Sequence, residues 1–386
     1  MAQSYIRQGT CIVCSNMTCG VPRKLGVSRK KCTVINGSST QPILNVDDKK
    51  VSECFDCKNP ESFWGGLVAL CVGICIGIAI GAAIVATGGA AAVAMAAFAA
   101  AKCAMVVTAA VAAVSVVAYT ATHDCDASLQ GTWELMHKKV SINGNFALLN
   151  RSTLACPKDG VILIILNEKA ATEAAKLISK YNNREVYIQW GTQILEGFIT
   201  GLSSLLTGGV GYINMATEVG TYVASENTDG LVGKGKTVYD TYKAVSEGKS
   251  AYNDVGKRTR QVNESTSRIN QYENVLNNKQ NARNASIPGR NQQVARTQQS
   301  QAQRGLNIER PRNQDLNKKL DAAKKNARNA AINFGATVTN AIIDLISDEL
   351  KKQCGKNVEA EVTNIQLNND TGSNQNTSFM GIISSK

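Results

Sequence analysis

Apolar positions are spread unevenly along this chain. From residue 1 to 63 they come in short runs separated by turn residues, so Ser4 to Val13, Cys32 to Ile35 and Ile43 to Val46 read as strands, with Asn36-Gly37 as a tight-turn signal between runs. Residues 64 to 119 are apolar almost without interruption, Lys102 being the single charge. A helix needs roughly 20 apolar residues to cross about 30 Å of hydrocarbon. Gly66 to Ala86 meets that length and Ala90 to Ala118 meets it again, with Thr87-Gly88-Gly89 as the turn between them. The pattern therefore predicts a transmembrane helical hairpin whose two flanks lie on one side. Its Ala, Gly and Val residues allow close helix packing, and Lys102 is costly at the bilayer centre unless buried or paired. A hairpin buried inside a soluble protein is the competing reading, weakened by how little polar surface it has to face water.

Residues 120 to 166 return to the strand style. Trp133 to Ile142, Asn143-Gly144 and Phe146 to Leu149 read as a hairpin, and Val161 to Leu166 as a further strand, so the apolar stretch looks inserted in one β domain. From Glu168 the periodicity turns helical. Residues 167 to 255 form a helical region that includes an amphipathic run from Ala170 to Lys180 and a second, weaker apolar part with many glycines. Residues 256 to 332 are polar and basic, broken at Pro288-Gly289, and are expected to be extended or loosely helical and disordered alone. Residues 333 to 386 are read as a final helix, Asn333 to Lys352, capped at Gly355 and followed by a flexible tail from Thr363. The fold class is α+β, multidomain: an interrupted small β domain, then a mainly α-helical C-terminal region.

Charge and reactive residues narrow the function. The net charge of +12 points to an anionic partner such as phospholipid, nucleic acid or an acidic protein surface, or to a solvated basic face. The first residues lack a basic stretch followed by an apolar one, so no secretory signal is expected and the protein is placed in a reducing cytoplasm at first. Twelve cysteines there favour thiols or metal ligands over disulfides. Cys11-x-x-Cys14 and Cys54-x-x-Cys57 are spaced like ligand pairs, while Cys71, Cys75 and Cys103 lie in the apolar stretch and read as packing residues. Only His123 and His137 are available for histidine chemistry. Gly230-x-x-x-x-Gly235-Lys236-Thr237 fits the phosphate-binding loop pattern, but the preceding residues do not read as a strand and a glycine-rich linker is preferred. No catalytic set stands out, which leaves open whether the chain is an enzyme.

Three segments carry a family resemblance. The opening Ser4-Tyr5-Ile6-Arg7-Gln8-Gly9-Thr10-Cys11-Ile12-Val13-Cys14-Ser15, the segment from Gln41 to Asn59-Pro60, and Leu149-Asn150-Arg151-Ser152-Thr153-Leu154-Ala155-Cys156 followed by a Gly160-containing strand resemble the PAAR-like domains. These tip the spikes of bacterial contractile injection machines, including type VI secretion. The resemblance covers residues 1 to 63 and about 123 to 166, under a third of the chain.

The resemblance implies a small cone of β-hairpins seated on a trimeric VgrG-type spike, with a structural zinc near its apex. By family position it implies zinc ligands among Cys14, Cys54 or Cys57, Cys125 and Cys156, with His123 and Cys11 in reserve. The chain departs from three-histidine metal sites of the family, and its hairpin splits the domain after Asn59-Pro60. Other implied partners are a chaperone that shields the transmembrane helices, an immunity protein and a membrane. The protein would wait in a bacterial cytoplasm before firing and then reach a target-cell membrane. The first expectation is a membrane-active effector that delivers a C-terminal antibacterial toxin region. The alternatives are a nuclease-type enzymatic toxin, with the basic segment holding nucleic acid, and a non-toxic structural tip that recruits cargo.

Overall fold

The computed structural model describes residues 3–35, 41–86, 131–156, 159–207, 222, 231–284, 290–371 and 381–382. β1 (Gln3–Ser4), β2 (Cys11–Cys14), β3 (Arg23–Gly26) and β4 (Lys50–Val51) precede α1 (Lys58–Ala86). After it come β5 (Trp133–Glu134), β6 (Ser141–Ile142), β7 (Asn145–Phe146), β8 (Thr153–Ala155) and β9 (Val161–Ile165). α2 (Glu168–Thr207), α3 (Leu231–Asn284), α4 (Arg290–Thr371) and β10 (Gly381–Ile382) complete the described chain. The architecture is thus α+β with a helical C-terminal region. The second apolar segment of the predicted hairpin, with Ala90, Lys102 and Ala118, lies outside the described residues, as do Asn36-Gly37 and Pro288-Gly289.

The strands on either side of α1 form one antiparallel sheet in the order β4-β3-β2-β9-β8-β5. Its centre is β2 against β9, with Cys11 opposite Ile165 and Cys14 opposite Ile162. All four residues of β2 are buried. The long strand expected from Ser4 to Val13 is broken at Gly9, whose φ of 83° is open to glycine at little cost. The residues before the break make single bridges, Tyr5 to Leu149 and Arg7 to Ile43, and only the part after it becomes β2. Cys32 to Ile35 and Ile43 to Val46 likewise supply isolated bridges rather than strands. The Asn143-Gly144 turn between β6 and β7 has positive φ at both residues, 52° and 86°, as a two-residue hairpin requires.

Polar groups join the two halves of the β domain. Asn45 Nδ2 donates to the Ile142 carbonyl at 2.8 Å, and Trp133 Nε1 donates to the Asp48 carbonyl at 3.2 Å. The core contains Ile6, Ile12, Leu44, Phe55, Leu148 and Ile164, all at or near zero exposure.

Two helices complete that core. Asn167 Oδ1 accepts the amides of Lys169 and Ala170 and so caps α2. The first turns of α2 bury Ala171, Ala174, Ala175 and Ile178 against the sheet. The end of α4 buries Val358 and Ile365 in the same cluster, and Asn369 Nδ2 donates to the Ile164 carbonyl at 2.7 Å. The predicted cap at Gly355 and the loose tail from Thr363 are therefore corrected: α4 runs through both to Thr371. Val358, Val362 and Ile365 repeat at helical spacing, diluted in the sequence by Asn, Gln and Glu.

The chain divides into two compact units. The first holds Met1–Leu205, Tyr212–Asn227 and Asn340–Lys386; the second holds Leu206–Gly211 and Thr228–Thr339. The second unit is an antiparallel helical hairpin in its described part, with Ser265 Oγ bonded to Glu309 Oε2 at 3.0 Å and Arg310 Nη2 to Glu273 Oε1 at 2.9 Å. Gly305 lets the ring of Tyr272 approach the helix backbone, and Leu306, Leu320, Ala302 and Ala323 fill the buried seam. Of the segment expected to be extended or loosely helical over 256 to 332, the described residues 256–284 and 290–332 are regular helix.

Candidate functional site

β2 is an extended strand, so successive side chains point to opposite faces. Cys11 and Cys14, three residues apart on it, therefore cannot act as one ligand pair. Cys11 is buried towards Lys24 and Glu168, and its burial and the Glu168 carboxylate push its thiol above the usual range despite the opposing Lys24. Cys14 lies at the other end of the strand.

The chain beyond Cys14 turns sharply, the Met17 amide donating back to the Cys14 carbonyl at 3.1 Å. The Asn16 to Thr18 segment then runs beside residues 56 to 58, with Met17 bridged to Cys57, Thr18 N bonded to Asp56 O and Lys58 N bonded to Asn16 O, both at 2.9 Å. Cys57 is 7% exposed and stands at the start of α1. On the other side, Cys156 closes the loop between β8 and β9 by donating its amide to Gly160 O at 2.7 Å. A β-carbon on Gly160 would lie 3.5 Å from Cys14 Sγ and 3.3 Å from Cys156 Cβ, so these two cysteines flank the space that the missing side chain leaves.

Cys14, Cys57 and Cys156 thus come to one end of the β domain, from three separate segments. Cys54 is exposed beside β3, where its carbonyl accepts Arg23 Nε at 3.2 Å. Cys125 and His123 lie outside the described residues. Among the described residues no disulfide forms, and no group of three or more His, Cys, Asp or Glu side chains is assembled for a metal. The donor chemistry still suits zinc, since buried thiolates are its preferred ligands.

α1 is the second feature. Its span Lys58–Ala83 contains an 18-residue window of mean hydropathy 2.5, long and apolar enough to cross a membrane by length and composition. Gly66 faces Gln193 of α2 and the hydroxyl of Tyr222, which donates to the Phe63 carbonyl at 3.0 Å, and Ala86 is the last residue of the helix. Cys71 is buried in the helix, as its packing role requires. Gly73, Gly77 and Gly81, each four residues on, form a stripe that meets α2 at Ile194, Phe198, Leu202 and Leu205. α2 answers with Gly197 and Gly201, which meet Leu70 and Ile74. The sequence signal for this contact is G-x-x-x-G on both helices.

One sequence pattern loses its functional reading. Gly235, Lys236 and Thr237 lie within α3, so their amides are spent inside a helix and do not form a phosphate cradle. In the basic hairpin, Arg258 pairs with Asp254, Arg268 with Glu309 and Arg310 with Glu273, which offsets part of its charge. Compared with family models, curated proteins and solved structures, the chain matches none.

Proposed function

We propose that this chain is a PAAR-like spike tip of a type VI-like injection system, one that brings an apolar helix to a target membrane and carries a C-terminal antibacterial toxin region with it. The observation that supports it is the split domain. Strands from both sides of the apolar stretch share one sheet, and α1 springs from its cysteine-lined end, with Cys57 immediately before the helix. A small rigid body that projects an apolar helix is suited to being driven against a bilayer.

Cys14, Cys57 and Cys156 would hold a structural zinc, with Cys125 completing the set. The metal would crosslink three segments of a domain whose core is small. The opposite parts of the β domain would seat on a trimeric VgrG-type spike. A chaperone would cover the apolar surface before firing, and an immunity protein would protect the producing cell. No observation favours the nuclease reading over this one.

The test uses the whole chain, because Val358 and Ile365 of α4 lie in the β-domain core and truncation would break it. Val72, Ile76 and Ile80 are exposed on α1, away from the glycine stripe. Membrane potential and nucleic-acid integrity are followed during periplasm-directed expression of the unaltered chain and of Val72→Glu/Ile76→Glu/Ile80→Glu. Potential collapse that the triple substitution abolishes supports the reading. Degraded nucleic acid with intact potential would sink it in favour of an enzymatic toxin, and no effect from either chain would leave a structural tip.

A further inference from the structure

We propose that the second half of α2 enters the bilayer together with α1, as a preformed parallel pair, with lipid acyl chains against its outer face. The proposal deepens the membrane reading above and rests on it. Three observations carry it.

The first is direction and distance. Along α1, Gly73, Gly77 and Gly81 meet α2 at Ile194, Phe198 and Leu205 in turn, so the residue numbers rise together and the helices are parallel. A β-carbon on Gly77 would lie 2.8 Å from the Leu202 backbone nitrogen and 3.0 Å from the Phe198 carbonyl carbon. One on Gly197 would lie 2.9 Å from the Ile74 nitrogen. The contact is backbone on backbone and reciprocal.

The second is what such a contact is good for. Helices in water associate chiefly by burying large apolar side chains. Between helices in lipid that force is absent, and close backbone approach through small residues takes its place. A soluble helix pair has little use for five glycines at its seam, since each lowers helix propensity by about 1 kcal/mol relative to Ala.

The third is polarity. From Val186 to Leu205 the exposed residues of α2 are Tyr187, Gly191, Ile194 and Leu195, while Thr192, Gln193, Glu196 and Thr200 are buried. Gln193 Nε2 donates to Glu196 Oε2 at 3.0 Å within that buried set. On α1 the exposed residues from Val72 to Ala83 are all apolar. A water-facing amphipathic helix has the reverse arrangement. Polar groups inside and apolar groups outside are what a lipid-facing helix requires. α2 escapes recognition by hydropathy alone because its polar residues lower the average, yet those are the residues turned inward.

Depth-dependent quenching tests this on the full chain. Ile76→Trp and Leu195→Trp each add one fluorophore at an exposed position, and the full chain carrying each is mixed with vesicles of phosphatidylcholine and phosphatidylglycerol with brominated acyl chains. The added emission is read against the native tryptophans and against unbrominated vesicles. The expected result is loss of emission at both positions, with Gly201→Leu abolishing the loss at 195 and retaining it at 76. Gly191→Leu is the control, because that glycine has open space around it. Quenching at 76 without quenching at 195 overturns the proposal and leaves α1 entering without α2. Quenching at 195 that survives Gly201→Leu overturns the pairing. Absence of quenching at 76 instead defeats the membrane reading on which the proposal rests.

Discussion

The side-chain amide of Asn182 donates to the carbonyl of Met17 at 2.7 Å, and its second hydrogen reaches the carbonyl of Ser15 at 2.9 Å. Asn182 is fully buried in the middle of α2. These two bonds pin the turn after Cys14 to the helix that continues towards α1. Asn182 thus ties the cysteine end of the β domain to the helix that packs along α1, alongside Asn183, whose amide donates to the Thr18 carbonyl at 3.1 Å.

Replacing Asn182 with Ala removes both donors and leaves two buried carbonyls short of a partner. An unsatisfied buried group costs about 1–3 kcal/mol, so Asn182→Ala is expected to lower unfolding free energy by about 2–4 kcal/mol. Urea denaturation followed by circular dichroism checks it. An unchanged midpoint would show that the turn is held by other means.

A second prediction concerns Asp48. Its carboxylate is fully buried and accepts the amides of Ser28 at 2.9 Å and Asn45 at 3.0 Å, and it pairs with Arg29 Nη2 at 2.9 Å. Arg29 Nη2 also reaches the Ile43 carbonyl at 2.7 Å. Asp48→Ala would strand a guanidinium in a dry site, and breaking a buried pair in this way costs about 3–5 kcal/mol. The double variant Asp48→Ala/Arg29→Met should recover part of that loss. A thermal-melt comparison of the three chains decides, and equal melting temperatures for all would refute the assignment.

How much of this was legible in the sequence depends on the kind of signal. Asn143-Gly144 declared its turn because positive φ at two residues leaves few alternatives. α1 declared itself by an unbroken apolar run. β3 and β4 did not, because Arg23, Lys24 and Lys50 are charged and the strands lie towards the sheet edge, where pairing of β3 with β2 and of β4 with β3 makes them strands. The return of α4 to the β core was hidden by distance, since Asn150 Nδ2 reaches Asn369 O across 219 positions. Cysteine spacing misled at Cys11 and Cys14. Two thiols three residues apart suit a metal on a turn or loop, but on a strand they diverge.

The cysteine end yields a third prediction. If Cys14 and Cys156 hold zinc beside Gly160, the purified chain contains one zinc, and Cys14→Ser or Cys156→Ser lowers that content. Cys54→Ser, at an exposed position, should leave it nearly unchanged if Cys57 is the ligand from that segment. Dialysis against a strong chelator should lower the melting temperature of the unaltered chain and have little effect on Cys14→Ser. Elemental analysis alongside the melts gives the answer, and a metal-free chain with an unaltered melt would remove zinc from the account.

Cys11 allows a pH prediction at the other end of β2. Burial, then the Glu168 carboxylate, raise its thiol above the ordinary value, against the pull of Lys24. The folded protein thus holds this proton more tightly than the unfolded chain does. That contribution is complete below the unfolded thiol value of about 8.5 and is lost as pH rises through the higher folded value. Stability should therefore fall with rising alkaline pH, and Cys11→Ala should flatten the fall while costing some packing at neutral pH. In the native chain at pH 8, Cys54 should react with a thiol reagent at once, whereas Cys11 should react only after denaturant is added. Mass mapping of the labelled cysteines reads both, and fast labelling of Cys11 in the folded chain would contradict its burial between β3 and β9.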